Sequence, residues 1–301
     1  MDRLIFSSMV HSSDSCREAL ILAASIRKFG GRLSDTPIWV LIPEANKDIL
    51  TLDVEEQLIF LDVKIIPFPD DSEVRKFPFA RYVYAAATAE SLSNEKTEIL
   101  AWMCSDTIVI REPQHFLLEM GKNIGYRPVH HLVKSPTFKS GSIYEEPIDP
   151  FWELVYSECN VPESKIFPMK THVDHYILRA YFNAGLVVIR PEMLLLQSWW
   201  KKFKELYNEP SFKEFFEKDD LYSIFFHQAV LTGVILSTVE EFELLELPFS
   251  YNYPLNLFFE TPVEYHPREV NDLITARYED ISVLKAIPFR DPFQSWIKDH
   301  L

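Results

Sequence analysis

The chain has 301 residues, 47% of them hydrophobic and 25% charged, a composition that supports a folded protein with a sizeable buried core. Asp and Glu number 45 against 30 for Lys and Arg, a formal net charge of −15, which excludes a general nucleic-acid binder because such a surface needs cations to displace phosphate counterions. Glycine is scarce, at 7 residues, and no G-x-G-x-x-G or G-x-x-x-x-G-K-[ST] occurs, so a Rossmann dinucleotide fingerprint and a P-loop are both excluded.

In chain order, Leu4–Val10 reads as a buried strand and His11–Ser15 as the polar turn that follows it. Residues 16–29 then place Ala19, Leu22, Ala23, Ile26 and Phe29 at helical spacing, stopped by Gly30-Gly31. Ile38–Ile42, closed by Pro43, and Val63–Ile66, closed by Pro67, are further strands; 79–93 is an Ala-rich helix. Ile99–Ile110 is apolar with one polar break, and 123–127 is another strand. Strands alternating with helices imply a mainly parallel sheet. The segments 134–150 and 160–176 read as polar or irregular loops. Tyr181–Ile189 is a strand carrying a glycine, and Leu196, Trp199, Phe203 and Leu206 mark an amphipathic helix. A last helix over 221–236 has Asp219 or Asp220 to cap it. The expectation is one α/β domain over 1–301, irregular from about residue 240.

Cys16, Cys104 and Cys159 form no C-x-x-C, which excludes a zinc ribbon and favours a reducing compartment. The opening ten residues are too short for a secretory signal, and no stretch approaches the ~18 apolar residues of a membrane span. The expectation is a cytoplasmic protein without a transmembrane segment.

Four places stand out chemically. Asp106 interrupts an apolar strand in Trp102–Ile110, as a ligand-site carboxylate or as a turn former. Asn183 and Gly185 lie in a strand where glycine permits close approach of a ligand or a bulge. His227 and Gln228 are polar residues within an apolar helix. His266 and Arg268 offer a metal ligand and a phosphate-binding cation in a loop. His172 and His175 would share a face if helical, but no third ligand is placed beside them for zinc.

The order of these pieces resembles the nucleotide-sugar glycosyltransferases of GT-A fold, especially the glycogenin and lipopolysaccharide galactosyltransferase group. The run Cys104-Ser-Asp-Thr-Ile-Val-Ile-Arg-Glu-Pro113 matches that group's Asp-x-Asp-Thr strand, and Phe182-Asn-Ala-Gly-Leu-Val-Val-Ile189 its Phe-Asn-Ala-Gly strand. His227-Gln228 stands where the group has Asp-Gln, and His266 where it has a late histidine. The resemblance implies a GT-A-like nucleotide-diphospho-sugar transferase fold, a central sheet flanked by helices, that transfers a sugar from a nucleoside diphosphate sugar to an acceptor. It implies Asn183, His227 and Gln228 at the reacting sugar, and Ser12, Asp14, Asp106, Gly185 and Arg268 at the donor. It also implies a divalent ion, Mn²⁺ or Mg²⁺, on Asp106 and His266. The chain departs from the pattern at Cys104, in place of the first Asp, and at His227, in place of the Asp of Asp-Gln. A soft, mostly protonated thiol suits neither ion. The alternative is a protein that binds a nucleotide sugar without turning it over. A nucleotidyltransferase, which needs a glycine-rich basic loop after the first strand, does not fit His11–Ser15.

Overall fold

The apolar runs at 5–9, 38–43 and 100–103 fold as strands covered on both faces, whereas the run at 63–68 is an edge strand with Lys64 and Pro67 exposed. The computed structural model of the chain describes residues 2–301. The first half contains β1 (Ile5–Met9), α1 (Ser13–Phe29), β2 (Ile38–Pro43), α2 (Leu52–Phe60), β3 (Val63–Phe68), the single turn α3 (Ser72–Arg75) and α4 (Ala80–Ser93). It continues with β4 (Leu100–Met103), β5 (Thr107–Val109), β6 (Ile124–Pro128) and α5 (Pro150–Glu158). Next come a hairpin of β7 (Pro168–Lys170) and β8 (Ile177–Arg179), then β9 (Phe182–Ile189), α6 (Leu195–Leu206), α7 (Pro210–Lys218) and α8 (Asp220–Thr238). The chain ends with β10 (Leu244–Glu246), β11 (Tyr253–Pro254), β12 (Thr275–Arg277), α9 (Ile281–Ala286) and α10 (Phe293–His300).

The main sheet has 7 strands in the order β10-β6-β9-β4-β1-β2-β3. All neighbours pair parallel except at β9, which runs antiparallel to both β4 and β6. That inversion brings the start of β9 to the edge where β1 and β4 end. Side chains alternate across the sheet. Leu100, Trp102, Val187 and Ile189 face a cluster with α4, α6 and α8, where Ala86, Trp199 and Phe226 are buried. Ala101, Met103, Leu186 and Val188 face Leu22 and Ile26 of α1 on the other side. The N-terminus of α1 is closed by a capping box: the Ser12 hydroxyl accepts from Ser15 N, and Ser12 N donates to Ser15 Oγ at 2.9 Å.

The structure revises the expected outline in several places. The single run 99–110 is two strands in two sheets, broken at Cys104–Asp106. The segment after 240 is irregular over much of its length but carries short regular elements: β10 joins the main sheet, β11-β12-β5 form a second sheet, and α9 and α10 pack with Tyr253, Leu255 and Tyr278 against Ile21 and Ala24 of α1. Its elements are too short to show a period. The segment 160–176 contains β7, and the loop 134–150 ends in Asp149-Pro150, an N-cap and first-turn proline that start α5. α8 is 19 residues long and is the one described helix long and apolar enough to cross a membrane; 67% of its apolar window is buried inside the protein. From Phe226 to Leu236 every residue is buried, so that part of the helix is surrounded by protein, while its N-terminal part reaches the surface at Ile224.

One buried acid shapes the α4–α6 contact. The residue before α6, Leu194, offers no side-chain cap. Glu90 of α4 supplies it: Oε1 accepts from Leu196 N at 3.1 Å and Oε2 from Gln197 N at 2.8 Å. Burial pushes the Glu90 carboxyl up to about 7, against the pull of those backbone donors. A raised folded-state pKa contributes stability that is full below the ordinary carboxylate range and is lost as pH rises through about 7. The melting temperature is therefore expected to fall between pH 5 and 8 in wild type. Glu90→Gln, which keeps an acceptor oxygen, is expected to flatten that slope. Glu90→Ala, which strands the helix N–H groups, is expected to cost about 1–3 kcal/mol in urea unfolding at every pH.

Candidate active site

The break between β4 and β5 is where polar chemistry begins. Cys104 N still pairs with Gly185 O at 3.0 Å, and the chain then turns away through Ser105 and Asp106. β12 lies antiparallel to β5, with Arg277 opposite Thr107, and Tyr278 N donates to Asp106 O at 3.1 Å. This register sets the Arg277 guanidinium on the Asp106 carboxylate. Nη2 donates to Oδ2 at 2.7 Å, and Nε lies 3.1 Å from Oδ1 and 3.3 Å from Oδ2. Asp106 is buried, and a buried carboxylate is tolerated only when paired in this way. Burial opposes the charge of Arg277, but the Asp106 carboxylate hydrogen-bonded to it more than offsets that, and the guanidinium is held as a cation.

The opposite wall is the start of β9, whose backbone groups are satisfied by side chains. Ala184 N donates to Gln228 Oε1, and the Tyr82 hydroxyl donates to Ala184 O, both at 2.8 Å. Gly185 N donates to Asn183 Oδ1 at 2.8 Å. A Cβ on Gly185 would stand 3.0 Å from Asn183 Oδ1, 3.1 Å from Arg277 Nη1 and 3.3 Å from Arg277 Cδ. A side chain here would crowd Asn183 and Arg277 together, and the glycine accommodates their close approach at the sheet edge.

α8 brings a third wall. His227 Nδ1 is 2.9 Å from Ile224 O. A carbonyl only accepts, so Nδ1 carries the proton and Nε2 is left as an acceptor. Burial pushes the ring's pKa down to about 4, so the imidazole is neutral at physiological pH. Its face stacks on Phe79 at 4.1 Å. Phe79 itself sits at φ 61, a left-handed conformation that a bulky residue adopts only under constraint. Glu18 of α1 completes the rim. It accepts from Ser105 Oγ at 2.7 Å, and burial raises its pKa despite that bond.

These walls enclose a cavity of about 400 Å³ lined by Ser12, Asp106, Gly185, His227 and Gln228 from the expected set. Arg277, Glu18, Tyr82 and Phe79 line it as well and were not foreseen from the sequence. An adjoining cavity of about 540 Å³ shares Met9, His11, Phe79 and Tyr82 and contains Arg81. The remaining expected residues lie elsewhere. Asn183 is buried beneath the wall, its side-chain oxygen on Gly185 N. Asp14 lines a different cavity between α1 and α2. Arg268 is exposed and does not line the cavity. His266 packs on Phe258 at 4.2 Å, and its Nε2 is 2.8 Å from Thr261 O.

The metal set implied by the resemblance does not assemble here. His266 is outside the cavity, and both Asp106 oxygens are engaged by Arg277. Burial pushes the Cys104 thiol up to about 11, so it is a neutral sulfur, and the Tyr82 hydroxyl lies 3.4 Å from it. Among the described residues no group of three His, Cys, Asp or Glu side chains is arranged to hold a metal. Glu18, Asp106 and Glu279 line the cavity as hard oxygen donors, but Asp106 is taken up by Arg277, Glu279 lies 3.7 Å from the same guanidinium, and Glu18 accepts from Ser105.

A mainly parallel sheet with one inverted strand, and a cavity at its carboxyl edge, is the architecture of the GT-A fold. Two solved structures share the fold. The bifunctional glycosyltransferase WbbM, in its apo form, aligns over 99% of this chain at 13% identity with a TM-score of 0.57. This chain spans 52% of that protein. The galactosyltransferase LgtC, solved with donor and acceptor sugar analogues, aligns over 98% of this chain and 93% of its own, at 13% identity and a TM-score of 0.50. Residues 6–236 match the Rhodobacterales glycosyltransferase domain, and the chain belongs to that family. No functionally curated protein matches the chain significantly.

The crowding at Gly185 gives a direct test of the wall. Gly185→Ala is expected to cost about 1–3 kcal/mol by overpacking against Arg277. In an Arg277→Ala background the same change is expected to cost measurably less, because the blocking side chain is gone. A double-mutant cycle by urea unfolding measures the difference.

Proposed function

We propose that the cavity binds a nucleoside diphosphate sugar and that the protein transfers the sugar to a hydroxyl-bearing acceptor. The observation that carries this reading is convergence: Ser12, Asp106, Gly185 and the His227–Gln228 pair come from four distant segments and line one cavity at the carboxyl edge of the sheet. That is where ligands of open parallel sheets bind. In the transfer, the bond from the sugar's anomeric carbon to the diphosphate breaks and one to the acceptor oxygen forms. The acceptor's proton leaves with the nucleoside diphosphate. His227 Nε2, a neutral acceptor, suits a hydroxyl at this place; it cannot repeat what a carboxylate would do for a positively charged sugar carbon. Gln228 holds the Ala184 backbone through its oxygen and so shapes the wall. The adjoining cavity with Arg81 gives the nucleoside room.

A second reading, a nucleotide-sugar-binding protein without turnover, is favoured by Cys104 and His227 in place of acids. The two are separated by measuring binding and turnover together. Calorimetric titration with uridine and guanosine diphosphate sugars, NAD and ATP is expected to show a nucleotide sugar bound most tightly. Incubation of the bound sugar with an acceptor panel is expected to release nucleoside diphosphate. Binding without any release, including hydrolysis, selects the second reading. Binding of NAD or ATP with no nucleotide sugar bound overturns both.

A further inference from the structure

We infer that Arg277 supplies the positive charge for the donor's diphosphate, in the place where the fold's relatives use a divalent ion, so that the site binds its nucleotide without metal. The inference rests on the nucleotide-sugar reading above and concerns the same cavity.

The first argument is one of supply. Among the residues lining the cavity, Arg277 is the one lysine or arginine. The lining imidazoles, His11 and His227, are both shifted toward the neutral form, mainly by burial. The remaining charged lining groups are the acids Glu18, Asp106 and Glu279. A diphosphate entering this cavity therefore meets one fixed cation.

The second argument is one of geometry. A guanidinium has five N–H donors in a planar fork. Asp106 takes the Nε proton and one on Nη2. Glu279 lies 3.7 Å from Nη2, beyond a hydrogen bond, and Nη1 makes none. Nη1 instead abuts the side of β9 that Gly185 leaves bare, at the cavity wall. The cation is thus hydrogen-bonded to Asp106 on one edge, has Glu279 within ion-pair distance, and keeps unbonded Nη1 donors on another edge, the kind of fork that grips phosphate oxygens in pairs.

The third argument is one of competition. A divalent ion bound to Asp106 would have to displace a bidentate guanidinium or sit against it. It would find a neutral sulfur at Cys104 and no histidine within the set. A guanidinium on a covalent tether, by contrast, cannot be removed by a chelator.

The test is titration of UDP and GDP, each in EDTA and in Mn²⁺, into wild type, Arg277→Lys and Arg277→Gln, with folding checked by thermal melting. Wild type is expected to bind one nucleotide equally in EDTA and Mn²⁺. Arg277→Gln is expected to weaken that binding about tenfold or more. Arg277→Lys, which keeps the charge but not the fork, is expected to fall between. Wild-type binding that needs Mn²⁺ overturns the inference and leaves the nucleotide-sugar reading standing. So does an Arg277→Gln protein that binds as tightly as wild type. If neither nucleotide binds in either buffer, the nucleotide-sugar reading falls and this inference with it. Should Arg277→Gln fail to fold, the EDTA comparison on wild type and the Arg277→Lys titration still decide.

Discussion

The ion pair between Arg277 and Asp106 fixes the shape of the cavity and explains several features that otherwise look unrelated. Asp106 lies in the break between β4 of the main sheet and β5 of the small second sheet, while Arg277 belongs to β12, the neighbour of β5. Their contact requires that β12 pair with β5 in one register, Ala276 opposite Ile108. That register in turn requires the C-terminal segment to be anchored, which its own aromatic cluster against α1 provides. The segment after residue 240 is therefore part of the site's construction. A slip of one residue in β12 would turn Arg277 to the other face and leave Asp106 buried without a partner.

The same constraint reaches β9. Because Arg277 and Asn183 crowd the space above residue 185, a side chain there would strain both, and the strand gains little from packing at this point. It is stiffened by hydrogen bonds instead. Each exposed backbone group of Ala184 and Gly185 is taken by Gln228, Tyr82, Asn183 or the backbone of Cys104. Asn183 and Gln228 thus have structural work through their oxygens, whatever their amide nitrogens do toward a ligand. The polar residues of a motif strand build the wall before they touch anything bound to it.

Much of this was legible in the sequence where one residue type has one reading. The runs at β1, β2 and β9 gave strands within a residue or two because a doubly covered strand needs a nearly unbroken apolar run, and the edge strand β3 was marked by its own Val-Lys-Ile-Ile run before Pro67. Asp219 capped α8 as expected, accepting from Leu221 N at 3.0 Å. α2 was not legible: it buries only Leu58 while Leu52 and Phe60 are exposed, so its pattern shows no apolar face. The cation was half legible. An arginine from the C-terminal segment was expected, but Arg268 lies in a loop with an obvious His-Pro-Arg signature, whereas Arg277 is a lone charge in the short apolar run Ile274–Tyr278. A charge that interrupts an apolar strand was the signal that marked Asp106, and it marks Arg277 equally. The pairing across 171 residues of sequence is what no local pattern shows.

Charge accounting unites the departures from the family pattern. A divalent ion held by two carboxylates and a neutral histidine is electrically balanced. So is Asp106 with Arg277 beside a neutral Cys104 thiol. Exchanging the ion for an arginine lowers the positive charge by one, and exchanging an aspartate for a cysteine lowers the negative charge by one. Either exchange alone would leave a net charge at a poorly solvated strand end, which is costly. Together they leave the cluster of Cys104, Asp106 and Arg277 without net charge, and the further acids of the cavity are Glu18 and Glu279. Cys104 is then not simply a lost ligand. A carboxylate at that position, beside an Asp106 already satisfied by Arg277, would be a buried charge without a partner.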